Sequence, residues 1–237
     1  MKPISPAEPV TDLRRIPVVE CGEPMVNYLE HCPDLVWDKP RFKYTRASYV
    51  RKAVADMLNE ACRRMPNGVR LAIAEGWRPS YIQRRMHNSV ILWLQELHPD
   101  WSEQRIKRHA NRLAAPLHPK VPPPHSTGGA VDLFLVDEKG ESLDMQSPYE
   151  MFDRRAFPMD AEGLSDRARR NRAILSDALL AAGLTNYPSE YWHWSYGDQG
   201  WAYRNAKPHA IYGPVWPEGF VAVAEDDNDL PLERLEE

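Results

Sequence analysis

The sequence predicts an α+β fold in which a small, mainly antiparallel sheet is flanked by helices. Two kinds of pattern lead to this prediction. Four segments of the 237-residue chain carry apolar residues at helical spacing, and three others are short, apolar or aromatic, and bounded by turn residues. The two kinds are intermixed without the regular strand–helix–strand repeat of a parallel sheet, which favours antiparallel pairing.

The first helix and the first strand are predicted before residue 76. Residues 48–64 have one apolar face at helical spacing, formed by Val50, Val54, Met57, Leu58 and Ala61. The turn sequence Pro66-Asn67-Gly68 ends this helix. Residues 69–75 then alternate in side-chain character, as expected of a strand.

Two more helices are predicted before a proline-rich loop. Ser80 is a suitable N-cap for a helix through about residue 97, whose apolar positions are Ile82, Met86, Val90 and Leu94. Residues 102–113 predict a further helix. The prolines between 116 and 124 indicate a loop after it.

The second half of the chain predicts two strands around one helix. Residues 129–136 have the pattern of an apolar strand, and the polar segment 137–140 that of a turn. Residues 165–182 carry a helical pattern that stops at Gly183, a residue type typical of helix C-termini. Residues 187–196 are rich in aromatic side chains and predict the third strand.

The ends of the chain differ from this core. Residues 1–20 are rich in proline and charge, and we expect an extended N-terminal arm there. Residues 21–220 are predicted to form a single domain. Residues 221–237 form an acidic C-terminal tail. We expect disorder in it because seven acidic residues and one arginine follow position 224.

Composition argues against several classes of protein. The formal net charge is −4 and no basic stripe occurs, so no nucleic-acid partner is expected. No segment approaches the about 20 apolar residues of a membrane helix, and the N-terminus lacks the apolar stretch of a secretion signal. We therefore predict a cytoplasmic protein without a membrane partner. Cys21, Cys32 and Cys62 make no disulfide framework, which predicts reduced thiols.

The segment from His125 to Asp132 is the first candidate for chemistry. Asp132 lies between Val131 and Leu133 in an apolar strand, where an ionised carboxylate is costly unless it is paired or bound to a cation. Imidazole nitrogen and carboxylate oxygen are both common zinc ligands. The alternative is a structural Asp132 that accepts hydrogen bonds from turn amides, beside an incidental His125.

Glu190 and His193 are the second candidate, because a base and a metal ligand lie three residues apart. Strict strand alternation would place the two side chains on opposite faces. This role therefore requires an irregular approach after Pro188 and Ser189. The alternative is an aromatic core in which His193 is a satisfied core histidine.

Arg78 is the third candidate. It follows a predicted strand and lies between Trp77 and Pro79, where a rigid guanidinium can polarise a carbonyl or hold a carboxylate. The alternative is a surface arginine paired with a carboxylate.

Together these residues predict a catalytic zinc site with one zinc ion per chain. His125, Asp132 and His193 supply three protein ligands and leave the fourth position open for water, whereas a structural site is closed by four ligands. Zinc makes hydroxide available near neutral pH. Glu190 would take the proton from this water, and Arg78 would stabilise the developing oxyanion.

The same segments resemble the zinc D-alanyl-D-alanine dipeptidases of the VanX type, which are related to the zinc D,D-carboxypeptidases and share the Hedgehog-type fold. The family patterns are His-x-x-Gly-x-Ala-x-Asp, Glu-x-Trp-His and a Trp-Arg-Pro turn, met here at residues 125–132, 190–193 and 77–79. The resemblance covers roughly residues 45–205. It implies the same three zinc ligands, Glu190 as the catalytic acid–base and Arg78 as the transition-state stabiliser.

The resemblance also implies where the substrate is held. The family's Met-Gly-x-x-Phe-Asp segment, whose Asp meets the substrate amine, is Met-Gln-Ser-Pro-Tyr-Glu at residues 145–150. We expect Glu150 to hold the amine, and Tyr149 and Ser126 to contact the substrate. Pro123 stands where many members have a serine two residues before the first histidine ligand.

These observations predict a zinc dipeptidase that hydrolyses D-alanyl-D-alanine or a related small dipeptide. A first alternative is a zinc D,D- or L,D-carboxypeptidase that trims peptidoglycan peptides, which would normally be exported. A second alternative is a zinc-binding domain without turnover. The presence of Glu190 and Arg78 argues against the second alternative, because metal binding alone needs neither residue.

Overall fold

The computed structural model describes residues 8–38, 42–146, 158–223 and 227–233. The architecture is α+β, which confirms the predicted class. In chain order the elements are α1 (Val10–Leu13), β1 (Met25–Asn27), α2 (Tyr28–His31), β2 (Val36–Trp37), β3 (Tyr49–Arg51), α3 (Lys52–Arg63), β4 (Val69–Glu75), α4 (Ser80–Leu97), α5 (Glu103–Leu113), a 3₁₀ turn (Pro124–Thr127), β5 (Ala130–Asp137), α6 (Asp166–Ala182), β6 (Thr185–Asn186), β7 (His193–Ser195) and α7 (Gln199–Arg204).

A five-stranded sheet in the order β2-β4-β5-β7-β6 forms the centre of the fold. Its strands pair antiparallel except for the short β2, which runs parallel to β4. A separate antiparallel pair is formed by β1 and β3. The prediction of a small, mainly antiparallel sheet is therefore confirmed.

The core lies on both faces of β4 and β5, because these strands are apolar on both sides. Every residue of β4 from Leu71 onward is buried, and so is every residue of β5 before Asp137. Apolar side chains of α3, α4 and α6 join the same buried cluster. Two buried carboxylates interrupt this apolar cluster, those of Glu75 in β4 and Asp132 in β5. The two residues lie opposite each other in the register of the two strands. Buried carboxylates need partners, and these two lie at the end of the sheet where the site is found.

The strongly periodic segments have the predicted bounds: β4 and α4 run from 69 to 75 and from 80 to 97. Two predictions were partly wrong. The helix predicted over 48–64 begins at Lys52, because Tyr49–Arg51 pairs with β1, where the β-branched Val50 lies opposite Val26. The strand predicted over 187–196 is reduced to His193–Ser195.

The described residues nearest to each end of the chain, from Glu8 onward and up to Glu233, contact the rest of the fold. Gln199 Nε2 donates to the carbonyls of Leu13 and Ile16, so the N-terminal segment packs on α7 and is not extended throughout. The acidic tail was expected to be disordered, yet Leu232 is buried and its backbone exchanges hydrogen bonds with Ser89 of α4. Two features explain these contacts: Leu232 is apolar, and Arg84 of α4 forms ion pairs with Asp227 and Asp229 of the tail. In the described ranges no helix is long and apolar enough to cross a membrane.

Candidate active site

Three different local structures place the three predicted metal ligands. His125 lies in the 3₁₀ turn before β5, Asp132 lies within β5, and His193 is the first residue of β7. Asp132 and His193 are direct cross-strand partners, so sheet pairing alone brings them together. The turn ends at Gly128, whose φ of 72° is readily adopted only by glycine, and this reversal brings His125 back over the strand.

The three side chains converge on one point. Asp132 Oδ1 lies 3.0 Å from His193 Nδ1 and 3.4 Å from His125 Nε2. One ligand atom from each residue lies within 4.8 Å of the other two. In the part of the chain that the structure describes, this is the one group of three or more His, Cys, Asp or Glu residues that could hold a metal ion.

The hydrogen bond from His125 to the backbone fixes which ring nitrogen faces the cluster. Nδ1 lies 2.8 Å from the carbonyl oxygen of Gly76, which can only accept a hydrogen bond. Nδ1 therefore donates to this carbonyl, and Nε2 is the ring nitrogen that faces Asp132 Oδ1. Metal-ligating histidines typically donate their second N–H to a carbonyl in this way.

Burial and charge set the protonation states of the cluster. Burial lowers the pKa of His125, and the nearby charge of Arg78 acts in the same direction. Burial alone would raise the pKa of Asp132, but the two histidines hold it well below its usual range. Burial alone would also lower the pKa of His193, but Asp132, Glu190 and Asp198 together raise it. The cluster thus presents an ionised carboxylate between two imidazoles.

Arg78 is held rigidly beside the cluster. Its guanidinium donates to Gln83 Oε1 from Nε at 3.0 Å and from Nη2 at 2.7 Å, and Nη1 lies 3.1 Å from Glu75 Oε2. The side chain is 12% exposed and lines the same cavity as His125. Arg78 is therefore not a surface residue, although it is paired with a carboxylate, that of Glu75, as the alternative expected.

Glu190 enters the cavity from a turn, not from a strand. Residues 187–192 form a turn in which Glu190 N–H donates to the Tyr187 carbonyl at 3.0 Å and His193 N–H donates to the Glu190 carbonyl at 3.3 Å. Pro188 has no N–H for a strand ladder. Because strand alternation does not apply before His193, Glu190 and His193 both line the cavity.

The cavity has a volume of about 240 Å³. His125, Asp132, His193, Arg78 and Glu190 all line it, and this is the set that the sequence predicted as metal ligands and catalytic residues. An apolar wall is provided by Phe42, Met86, Val90 and Leu113. The arrangement has the parts needed for metal-assisted hydrolysis: a metal-binding cluster, a carboxylate base and a cation for developing negative charge.

The predicted substrate contacts have different outcomes. Glu150 and Tyr149 lie outside the described residues. Ser126 is 3% exposed, its hydroxyl donates to the Pro123 carbonyl at 2.7 Å, and it is not among the cavity-lining residues. A substrate-binding role for Ser126 is therefore not supported, because the 3₁₀ turn uses its hydroxyl internally.

Several cavity residues were not predicted from the sequence. Glu8, Asp198, Gln199 and Tyr187 line the cavity, the first from the N-terminal segment and the next two from the start of α7. Burial and the charge of Glu190 raise the pKa of Tyr187 to about 12, so it remains a neutral phenol. Asp198 is the N-cap of α7, a role that helix-capping rules can detect, but its closeness to His193 depends on tertiary packing.

Comparisons with known proteins agree with this geometry. A D-alanyl-D-alanine dipeptidase of Synechocystis sp. is 29% identical over 244 aligned positions, covering 87% of this chain and 98% of the relative. A D-alanyl-D-alanine dipeptidase of Escherichia coli is 24% identical over 162 positions, covering 68% of this chain and 73% of the relative. A family model described as D-ala-D-ala dipeptidase matches residues 38–211, which include all five predicted catalytic and metal-binding residues. This chain therefore belongs to the D-ala-D-ala dipeptidase family of metallopeptidases.

Proposed function

We propose that this protein is a zinc-dependent dipeptidase that hydrolyses D-alanyl-D-alanine or a related small dipeptide. The proposal is carried by one observation: His125, Asp132 and His193 converge in a cavity that Glu190 and Arg78 also line. The names of the two relatives support the substrate class. Members of a metallopeptidase family with this residue set have the groups that amide hydrolysis needs.

Zinc fits the donor set. Tetrahedral zinc with nitrogen and oxygen ligands at about 2.0–2.2 Å keeps neighbouring ligand atoms about 3.4 Å apart. The separations of 3.0 and 3.4 Å around Asp132 Oδ1 are close to this spacing. Two imidazoles and one carboxylate leave a coordination position open, as in catalytic zinc sites. When bound, zinc supplies Lewis acidity, which lowers the pKa of water and polarises a carbonyl.

The other residues would move protons and hold charge. Glu190 would accept a proton from the attacking water and donate it to the leaving amine; its position in the lining of the cavity that His193 also lines supports this role. Arg78 would stabilise the oxyanion that develops on the scissile carbonyl. Its rigid mounting on Gln83 and Glu75 means that little reorganisation is required at the moment of reaction.

The substrate is expected to be small. The cavity of about 240 Å³ is smaller than the about 300–1,000 Å³ of pockets for drug-sized ligands. A cavity of this volume suits a dipeptide better than a long peptidoglycan peptide. We propose Glu150, which lies outside the described residues, as a candidate for holding the substrate amine. A cytoplasmic location also remains a prediction, which cell fractionation would test.

The test combines metal analysis with a substrate panel on one sample. The purified protein is expected to contain one zinc per chain and to cleave D-alanyl-D-alanine, with lower activity on L,L-dipeptides and on peptidoglycan peptides. Cleavage of peptidoglycan peptides in preference to all free dipeptides would support the carboxypeptidase alternative. A zinc-loaded protein that cleaves neither class would contradict the proposed function and support the zinc-binding domain without turnover.

A further inference from the structure

Residues 227–233 of the acidic tail form a strap along one flank of α4. The hydroxyl of Ser89 accepts a hydrogen bond from the Leu232 N–H at 2.6 Å and lies 3.1 Å from the Leu232 carbonyl oxygen. Arg85 Nε donates to the Leu230 carbonyl at 2.9 Å. Backbone groups of the strap are therefore held by side chains of a helix that contributes to the cavity.

Leu232 anchors the strap. Its side chain is 6% exposed and belongs to the main apolar cluster, whereas Leu230 is 67% exposed. The ion pairs of Arg84 with Asp227 and Asp229 involve exposed carboxylates, and exposed ion pairs contribute little to stability. Burial of Leu232 and the hydrogen bonds of its backbone to α4 are thus the main interactions that hold the strap in place.

The end of the strap is joined to the segment that carries Phe42. The Lys43 N–H donates to the Glu233 carbonyl at 2.8 Å, so the backbones of the two segments are hydrogen-bonded. The residues just before this pair, Phe42 and Leu232, are both buried and belong to the same apolar cluster. Phe42 also lines the cavity. The strap therefore fixes the backbone next to a side chain of the cavity wall.

The strap also flanks the face of α4 that lines the cavity. Met86 and Val90 line the cavity, and they directly follow Arg85 and Ser89, two of the residues that bind the strap. Successive residues of a helix are about 100° apart around its axis, so the two pairs lie on adjacent faces. None of the residues 227–233 lines the cavity. The strap thus contacts the elements that form the apolar wall without entering the cavity itself.

We propose that the strap is a positioning element of the cavity: it holds the segment of Phe42 against α4, keeps the apolar wall closed and so limits the size of the substrate side chain. This inference rests on the proposed function and concerns which dipeptides the site accepts. A packed wall resists a larger side chain, because extra methylene groups force neighbouring side chains and backbone to move. A wall without this support can yield, so release of the strap should admit larger side chains.

The test compares two full-length variants in which a strap leucine becomes aspartate. Leu232→Asp places a charge in the apolar cluster and should release the strap, whereas Leu230→Asp changes an exposed side chain and is the matched control. The quantity measured is the ratio of kcat/KM for D-alanyl-D-alanine to that for D-leucyl-D-alanine or D-alanyl-D-leucine. In Leu232→Asp at least one of the two ratios should fall about fivefold or more. In Leu230→Asp both ratios should stay within about twofold of wild type.

The ratio distinguishes positioning from a general loss of folded protein. A partly unfolded or zinc-poor sample loses activity toward both substrates equally, so unchanged ratios in Leu232→Asp would overturn the proposal. Leu232→Met keeps an apolar side chain of similar volume and should keep the wild-type ratios. Thermal melts report folding, and Leu232→Ala, which removes most of the buried side chain without adding a charge, takes the place of Leu232→Asp where that variant unfolds.

Hydrogen exchange separates failure of this inference from failure of the proposed function. The Lys43 amide should exchange at least about tenfold faster in zinc-loaded Leu232→Asp than in wild type or Leu230→Asp, because its acceptor on Glu233 is withdrawn. A wild-type protein that cleaves no dipeptide would contradict the proposed function, and faster exchange at Lys43 would then still support the strap. Unchanged exchange at Lys43 would rule out the strap even in an active dipeptidase.

Discussion

Gln83 Oε1 accepts two hydrogen bonds from the guanidinium of Arg78, at 3.0 and 2.7 Å, while the Gln83 amide donates to the Ala115 carbonyl at 2.7 Å. Gln83 is 2% exposed and lies one turn into α4. The link couples the helix to the proline-rich loop and aims Arg78 at the cavity. Gln83 is thus a positioning residue whose contribution depends on Arg78.

Replacing Gln83 with leucine should lower kcat by about tenfold to a hundredfold and change KM little, because a misplaced oxyanion donor weakens the transition state more than the ground state. Steady-state kinetics with D-alanyl-D-alanine measures the split, and metal analysis should show unchanged zinc. Gln95→Leu is the matched control, since Gln95 is an exposed residue of the same helix. A rise in KM at constant kcat would assign Gln83 to substrate binding.

Replacing Arg78 with alanine should lower kcat by about a hundredfold to a thousandfold, as expected for loss of an oxyanion donor. KM should change much less. Equal effects on kcat/KM and on the affinity for substrate would point to a ground-state role, such as holding the substrate carboxylate. Arg78→Lys should rescue little, because an ammonium group cannot reproduce the fork that contacts Gln83 and Glu75 together.

Replacing Glu190 with glutamine should lower kcat at least about a hundredfold, while the protein keeps its zinc. Glutamine preserves the size of the side chain but cannot accept the proton of the attacking water. Kinetics and metal analysis of the same sample check both parts. A metal-free Glu190→Gln protein would show that Glu190 is a ligand, contrary to the assignment.

Replacing His125 with alanine should abolish stoichiometric zinc binding, because two ligands on neighbouring strands hold zinc less well than three. Metal analysis after dialysis measures the change, and the thermal midpoint should fall because the metal no longer stabilises the native state. His209→Ala, outside the cavity, should keep its zinc. Unchanged zinc in His125→Ala would exclude His125 as a ligand.

Sequence patterns predict best those helices and strands in which the repeating apolar positions are also the buried positions. The helix Ser80–Leu97 and the strand Val69–Glu75 carry enough repeating apolar positions to fix type and bounds. The candidate metal-binding cluster could be predicted for a related reason. A charged Asp132 inside an apolar strand is unfavourable without a cation, so the local conflict itself marks the site.

The features that sequence reasoning missed depend on contacts between distant segments. Glu8 reaches the cavity because it pairs with Arg204, which lies near the other end of the chain. The turn that brings Glu190 inward is hidden in an aromatic-rich segment that looks like a strand. Leu232 packs on α4 although its neighbours are acidic. In each case tertiary packing overrides a local pattern that favours a different structure.

Gly128 offers a test of the local geometry that places His125. Its φ is 72°, and a Cβ atom there would lie 2.5 Å from Met25 Sδ and 3.4 Å from Arg51 Cγ. Gly140 has a similar φ of 86° but no atom within 4 Å of the position of its Cβ. Comparing alanine at the two positions therefore separates backbone strain from the clash.

Gly140→Ala should lower the free energy of unfolding by about 1–2 kcal/mol, the cost of a left-handed conformation for a residue with a Cβ. Gly128→Ala should cost at least about 1 kcal/mol more, because overpacking adds to the strain. Urea denaturation of the zinc-loaded proteins measures both. Met25→Ala removes the clashing sulfur, so the double variant Met25→Ala/Gly128→Ala should be less destabilised than the sum of the single variants. Additive effects would mean that the flexible methionine simply moves aside, and that strain at φ alone explains the glycine in the His-x-x-Gly segment.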